Sequence, residues 1–175
     1  MPVSAFREGL VMYLKMSVKN DLRGIVKSFH FALRGLKFCI LNERNMRIHI
    51  VVFLFVVYFA ALFGLEESEW ISLIVVSALV LICEMINTAI EALVNLGTSS
   101  YDNVARVAKD VAAGAVFLTA LMSLVVGCVL FIKPDKLSAF FRLLLEQPLL
   151  ILPFLFLVVV GPLFIFFGLR LKKQK

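Results

Sequence analysis

Glu84-Met85-Ile86-Asn87-Thr88-Ala89-Ile90-Glu91 closes an apolar run that begins near Trp70, and it puts two carboxylates and an amide inside that run. A helix advances about 100° per residue, so Glu84, Asn87, Glu91 and Asn95 fall at roughly 0°, −60°, −20° and +20°. Thr88 falls near +40° on the same scale. One polar face on an otherwise apolar helix is costly in a bilayer, and ionisable residues there face a bundle interior or cavity and mark function. The stretch therefore predicts a membrane-spanning helix whose last third carries the acidic half of an active site.

The surroundings fit this reading. The chain has 175 residues, 62% of them hydrophobic, and a mean hydropathy of +1.00. That excess of apolar surface excludes a soluble domain, and the apolar runs are continuous rather than alternating, so helices rather than a barrel span the bilayer. The fold class expected is an all-α membrane protein. It has an N-terminal amphipathic surface helix, three core transmembrane helices and a fourth, C-terminal one. Of 18 Lys and Arg, nine precede Ile48, and Arg170, Lys172, Lys173 and Lys175 close the chain. The positive-inside rule places both termini in the cytoplasm. Basic arms beside spans meet anionic lipid headgroups, so no nucleic-acid partner is expected. The three cysteines show no metal or redox spacing, and no cleavable signal opens the chain.

Residues 1–22 read as a loosely amphipathic or partly disordered lead. From Arg23 to Leu41, the cations Arg23, Lys27, His30, Arg34 and Lys37 form one stripe, with Phe29, Leu33, Leu36 and Ile40 opposite. That pattern predicts a helix lying on the cytoplasmic leaflet. The first span is expected from about Ile48 to Leu65, followed by an acidic outer turn at Gly64–Glu69. The second runs from about Trp70 to Leu96. Residues 97–103 form a cytoplasmic loop, and the third span runs from Val104 to Ile132. Ala105, Ala108, Ala112 and Ala115 recur on it at packing distance. A short amphipathic helix at Leu137–Gln147 precedes a fourth span from Pro148 to Leu169, which should be bent because it contains Pro148, Pro153 and Pro162. The domains expected are a lead at 1–22, a membrane enzyme at 23–136 and an extension at 137–175.

The cytoplasmic ends of these helices gather Glu43, Glu84, Asn87, Glu91, Lys109 and Asp110, with Arg44 and Arg47 nearby. Carboxylate oxygens suit a hard cation such as Mg²⁺, which keeps waters and shares phosphate oxygens. A lysine suits phosphate, and a further carboxylate can take a proton from an alcohol. These are the parts of phosphoryl transfer, and an acceptor inside the bilayer is a lipid alcohol. There is no P-loop and no soluble-kinase signature, so any nucleotide must meet side chains at the membrane surface. His30 and His49 are isolated and read as interfacial residues.

Glu84–Glu91 followed by Ala108-Lys109-Asp110-Val111-Ala112-Ala113-Gly114-Ala115 resembles the prokaryotic diacylglycerol kinase family, which includes undecaprenol kinases. Asn42-Glu43-Arg44-Asn45-Met46-Arg47-Ile48-His49 resembles the segment opening the first span in its Gram-positive members. The resemblance covers about residues 25–135. It implies a bacterial cell-membrane enzyme, a homotrimer with shared active sites, and MgATP as donor. By position, Glu84 corresponds to the catalytic base, Asn87 to a residue holding the reacting groups, and Glu43 and Glu91 to the metal ligands. Lys109 and Asp110 correspond to nucleotide-binding residues. The family has an arginine where Gly24 stands here; Arg23 substitutes, with Lys27 on the same stripe. Arg47 and Asn95 are assigned supporting roles at the same site. His49 stands where the Gram-negative type has a carboxylate, and Asn95 where the family has an acid. The Gram-positive character of Asn42–His49 favours undecaprenol over diacylglycerol as acceptor. A proton or ion conductor and a membrane scaffold are the rival classes. Neither needs this full set of residues.

Overall fold

The computed structural model describes residues 3–97 and 103–167, with side chains from Arg23 onward. Among them there is no strand. The elements are α1 (Val3–Asn42), α2 (Arg44–Phe63), α3 (Glu67–Gly97), α4 (Asn103–Phe131), α5 (Pro134–Glu146), a 3₁₀ turn at Pro148–Ile151 and α6 (Leu152–Phe167). The chain divides into two units, Met1–Phe38 and Cys39–Lys175.

The first unit is the larger part of α1. The helix extends back to Val3, so residues 3–22, read from sequence as a loose lead, are helical. No proline follows Pro2 in this region, and the repeated Leu, Lys and Arg favour helix. From Arg23 to Phe38 every side chain is exposed. Lys27 and Arg34 both lie over the ring of Phe31, 5.7 and 5.0 Å from its centroid. The basic stripe and the apolar face are thus both presented by one helix, as an interfacial helix requires.

The second unit holds four helices long and apolar enough to cross a membrane: Arg44–Phe63, Glu67–Leu96, Asn103–Phe131 and Pro148–Phe167. This is a multi-pass membrane protein. The spans start and stop within a few residues of the sequence expectation, because helices run past the hydrocarbon into their polar ends. Gly64 ends α2 with φ 71°, a left-handed position that glycine adopts without steric cost. Pro134 opens α5 at its first turn. Of the three prolines expected to bend the fourth span, Pro148 opens the 3₁₀ turn between α5 and α6, while Pro153 and Pro162 lie within α6. The residues 98–102 of the expected loop and the basic tail beyond Phe167 lie outside the described residues.

Packing is organised around α3. Its most extensive partner is α4, and α2 packs on α3 and on α6. Near the acidic turn, Ala60, Leu73 and Leu130 form a buried cluster, with Val56, Trp70 and Phe131 against it. Phe59 and Phe63 of α2 meet Phe131 of α4 and Phe140 of α5 at 4.7–6.3 Å between ring centroids. Glu69 pairs with Lys133 and, at 3.3 Å, with Lys136. Lys136 also donates to the Gly64 carbonyl, so the acidic turn is tied to the α4–α5 connection.

The C-terminal extension is docked on α2 at three levels. Phe154 packs edge-on against Phe55 and Tyr58, and the Tyr58 hydroxyl donates to the Leu150 carbonyl at 2.9 Å. Gly161 is buried, and a Cβ built there would lie 2.9 Å from Val51 Cγ1. Glycine is what lets the two helix backbones approach. Arg47 supplies the third level. It is buried, and its Nε donates to the Ile165 carbonyl at 3.1 Å. Its Nη1 donates to the carbonyls of Ile40 and Leu41 at 3.2 and 3.1 Å. The last carbonyls of α1 have no intrahelical partner, and the guanidinium satisfies them.

Candidate active site

The acidic face of α3 is buried at Glu84–Thr88, half-buried at Glu91 and exposed at Asn95. Glu84 is 2% exposed, and Asn87 and Thr88 are also buried. Thr88 and Asn87 are held by their own helix. Thr88 Oγ1 donates to the Glu84 carbonyl oxygen at 3.0 Å, the local back-bond open to a threonine within a helix. Asn87 Nδ2 donates to Glu91 Oε1 at 3.1 Å, one turn on. The Asn45 side chain hydrogen-bonds Glu84 from the start of α2. Two buried acceptors remain unpartnered, Glu84 Oε2 and Asn87 Oδ1. Orphaned buried polar atoms are few in a folded chain, and each calls for a reason. Here both lie within one turn of the same helix.

Glu43 meets this face from the connector. It occupies the N-cap position of α2 with extended backbone, φ −100° and ψ 120°, yet its carboxylate makes no capping hydrogen bond. That oxygen pair is not spent on the helix end. Burial raises the Glu43 carboxyl above the usual glutamate range, the neighbouring Glu91 raises it further, and Arg47 opposes both. Glu43 and Glu91 are also the carboxylates whose field reaches Glu84. Three acids share one corner.

The corner is not a closed metal cage. Among the described residues no three Asp, Glu, His or Cys side chains converge tightly enough to hold an ion by themselves. The donor chemistry still fits Mg²⁺, which commonly takes one or two carboxylates and completes its shell with water and substrate phosphate. The unpartnered oxygens of Glu84 and Asn87 are further hard acceptors beside this corner.

Lys109 Nζ donates to Asn95 Oδ1 at 2.7 Å, joining α4 to α3 one turn beyond Glu91. Asn95, carried into the reading as a substitute for an acid, thus holds the lysine at the edge of the acidic corner. Asp110 is exposed beside it, and Arg23 and Lys27 are exposed cations of the first unit. Arg47, assigned a supporting role, has its guanidinium on backbone carbonyls of α1 and α6. Sequence reasoning missed Asn45, a polar residue at the second turn-forming position of the connector. Its signal was its place two residues after Glu43.

A family profile for prokaryotic diacylglycerol kinase matches residues 30–131. The chain is 35% identical over 133 residues to a Synechocystis protein named diacylglycerol kinase, covering 75% of this chain and 76% of that one. It is 34% identical over 114 residues to the Bacillus subtilis protein named undecaprenol kinase, covering 65% of this chain and 93% of the other. It is 30% identical over 106 residues to the diacylglycerol kinase of Escherichia coli K12, covering 61% of this chain and 87% of that one. The acidic face, Glu43 and Lys109 all lie inside the matched region. The extension after Phe131 lies outside it.

Proposed function

Since the chain belongs to the prokaryotic diacylglycerol kinase family and is a membrane lipid kinase using ATP, we propose that it phosphorylates undecaprenol, with Mg²⁺, at the Glu84 corner. The observation that carries the site assignment is the buried Glu84 carboxylate with an unpartnered oxygen. A carboxylate held dry beside a lipid hydroxyl accepts its proton as the oxygen attacks the γ-phosphorus, and ADP leaves. Asn87 orients the reacting groups through Oδ1 while its amide nitrogen steadies Glu91. Lys109 and Asp110 hold the nucleotide phosphates, with Arg23 and Lys27 as further phosphate contacts. Glu43 and Glu91 are the metal ligands. Bound Mg²⁺ would neutralise charge on the transferring phosphoryl group.

Support for undecaprenol is the likeness of Asn42–His49 to Gram-positive members and the relative named for that activity. Diacylglycerol is the second reading, favoured by the two relatives named for it. Transfer of radiolabelled phosphate from ATP to each lipid in separate mixed micelles separates them. Label chiefly in undecaprenol supports the reading; label chiefly in diacylglycerol reverses the acceptor and keeps the mechanism. A homotrimer in the cell membrane, with both termini cytoplasmic, completes the proposal. The apolar stretches of α4 and α6 are barely buried within one chain, which leaves them for lipid and for neighbouring copies.

A further inference from the structure

A single non-helical residue, Glu43, separates α1 from α2. In an unbroken helix the amides of Arg44 and Asn45 would serve the Ile40 and Leu41 carbonyls. Here those residues open α2, and the Arg47 guanidinium takes both carbonyls, at 3.2 and 3.1 Å. Its Nε goes to a third acceptor, the Ile165 carbonyl of α6, at 3.1 Å. The same junction reaches the acidic face of α3 at two points. The Cys39 side chain hydrogen-bonds Thr88, and the Asn45 side chain hydrogen-bonds Glu84. Glu43 stands between them in the chain. The α6 contact is part of a regular docking. Four residues along α2 from Arg47 is Val51, and four back along α6 from Ile165 is Gly161, the glycine that Val51 meets. The two helices are therefore antiparallel and packed closely where Arg47 crosses between them.

We propose that α6 is a positioning element of the kinase site: its Ile165 carbonyl holds Arg47, and Arg47 holds the α1–α2 junction so that Glu43 and Asn45 meet the acidic face of α3. The proposal rests on the kinase reading of that face. A guanidinium presents its donors in a rigid planar fork, so an acceptor that fixes one edge fixes the others. Arg47 bonds backbone carbonyls and not reacting groups, which makes it a positioning residue. Groups that orient a metal's ligands from behind change metal affinity by about 10–100-fold when lost. The family-matched residues 30–131 include Arg47 and leave out α6. The extension thus lends the catalytic core a support from outside it.

The test moves α6 without touching the site. In the full chain, Gly161→Leu drives a side chain into Val51, and Gly161→Ala is the milder push should leucine prevent folding. Two quantities are read: amide hydrogen exchange across residues 39–47 in the metal-free protein, and the Mg²⁺ concentration for half-maximal phosphate transfer. Exchange should quicken by about tenfold. The Mg²⁺ requirement should rise by about tenfold, with kcat at saturating Mg²⁺ unchanged. Tyr58→Phe loosens α6 at its other end and should leave both readings at the parent's values. In an Arg47→Met background, the Gly161 substitution should add nothing to either. Parental exchange and Mg²⁺ requirement in a folded Gly161 variant would reduce α6 to a structural addition. Equal shifts from Tyr58→Phe would assign the effect to lost stability, and an undiminished Gly161 effect without Arg47 would mean another route; either overturns the proposal. A parent that transfers no phosphate sinks the kinase reading, and the exchange measurement still decides whether α6 holds the junction.

Discussion

Glu84 is buried with one oxygen unpaired, a state that calls for a reason and that marks function inside a membrane span. If it takes the hydroxyl proton, Glu84→Gln should lower kcat by about 10²–10⁴, with KM for ATP little changed; steady-state phosphate transfer reads both. Asn87 ties Glu91 in place, so Glu91→Gln should raise the Mg²⁺ concentration for half-maximal rate by roughly tenfold or more. An unchanged Mg²⁺ titration would remove Glu91 from the ligand set. Glu43 gives the pH dependence. Its carboxyl is raised by burial first and by Glu91 second. The folded, metal-free protein therefore holds this proton at a pH where the unfolded chain has lost it. Its contribution to stability is present at low pH and fades as pH rises through the raised value. Proton and metal compete for the same oxygens, so acidification from neutrality should raise the Mg²⁺ requirement sooner than an ordinary glutamate would. Glu43→Gln should abolish that shift.

At the scale of elements, the C-terminal span is bound to α2 by specific contacts rather than by apolarity alone. Arg47 is buried and holds carbonyls of α1 and α6 together. Arg47→Met would leave those acceptors without the donor and should destabilise the protein by about 2–4 kcal/mol, since bonds to charged groups contribute more than neutral ones. Arg47 also opposes the upward shift of Glu43, so in the same variant Glu43 should hold its proton to higher pH and the Mg²⁺ requirement should rise as stability falls. Gly161→Leu drives a side chain into Val51; about 1–3 kcal/mol of overpacking is expected. Tyr58→Phe loses one bond to Leu150 and should cost only about 1 kcal/mol. Thermal unfolding in one detergent, monitored by far-ultraviolet circular dichroism, ranks the three.

For the whole molecule, four spans form a unit in which α3 is most enclosed, while the apolar stretches of α4 and α6 are 6% buried. A lipid kinase of this family in three copies would cover part of those faces. Light scattering of the detergent-corrected particle should give three chains, and mixing Glu84→Gln with Lys109→Ala chains should restore activity if subunits share sites. Restoration absent from a confirmed trimer would mean that each chain carries a complete site. Even span number predicts that both ends of the chain lie on one side of the membrane; single-cysteine labelling at Lys15 and Lys173 in intact cells should find both protected.

The sequence by itself determined the spans, the acidic face and its chemistry. Hydrocarbon demands continuous apolar helices, and a 3.6-residue period puts Glu84, Asn87 and Glu91 on one side whatever surrounds them. The motifs also sufficed for the family. Helical structure reaching back to Val3 was harder to read, because its apolar and charged residues alternate without a clean stripe. Only the tertiary structure decided where Arg47 acts, since its acceptors are backbone carbonyls, one of them 118 residues away, and a carbonyl has no letter in the sequence. The same holds for Gly161, whose reason is the proximity of Val51.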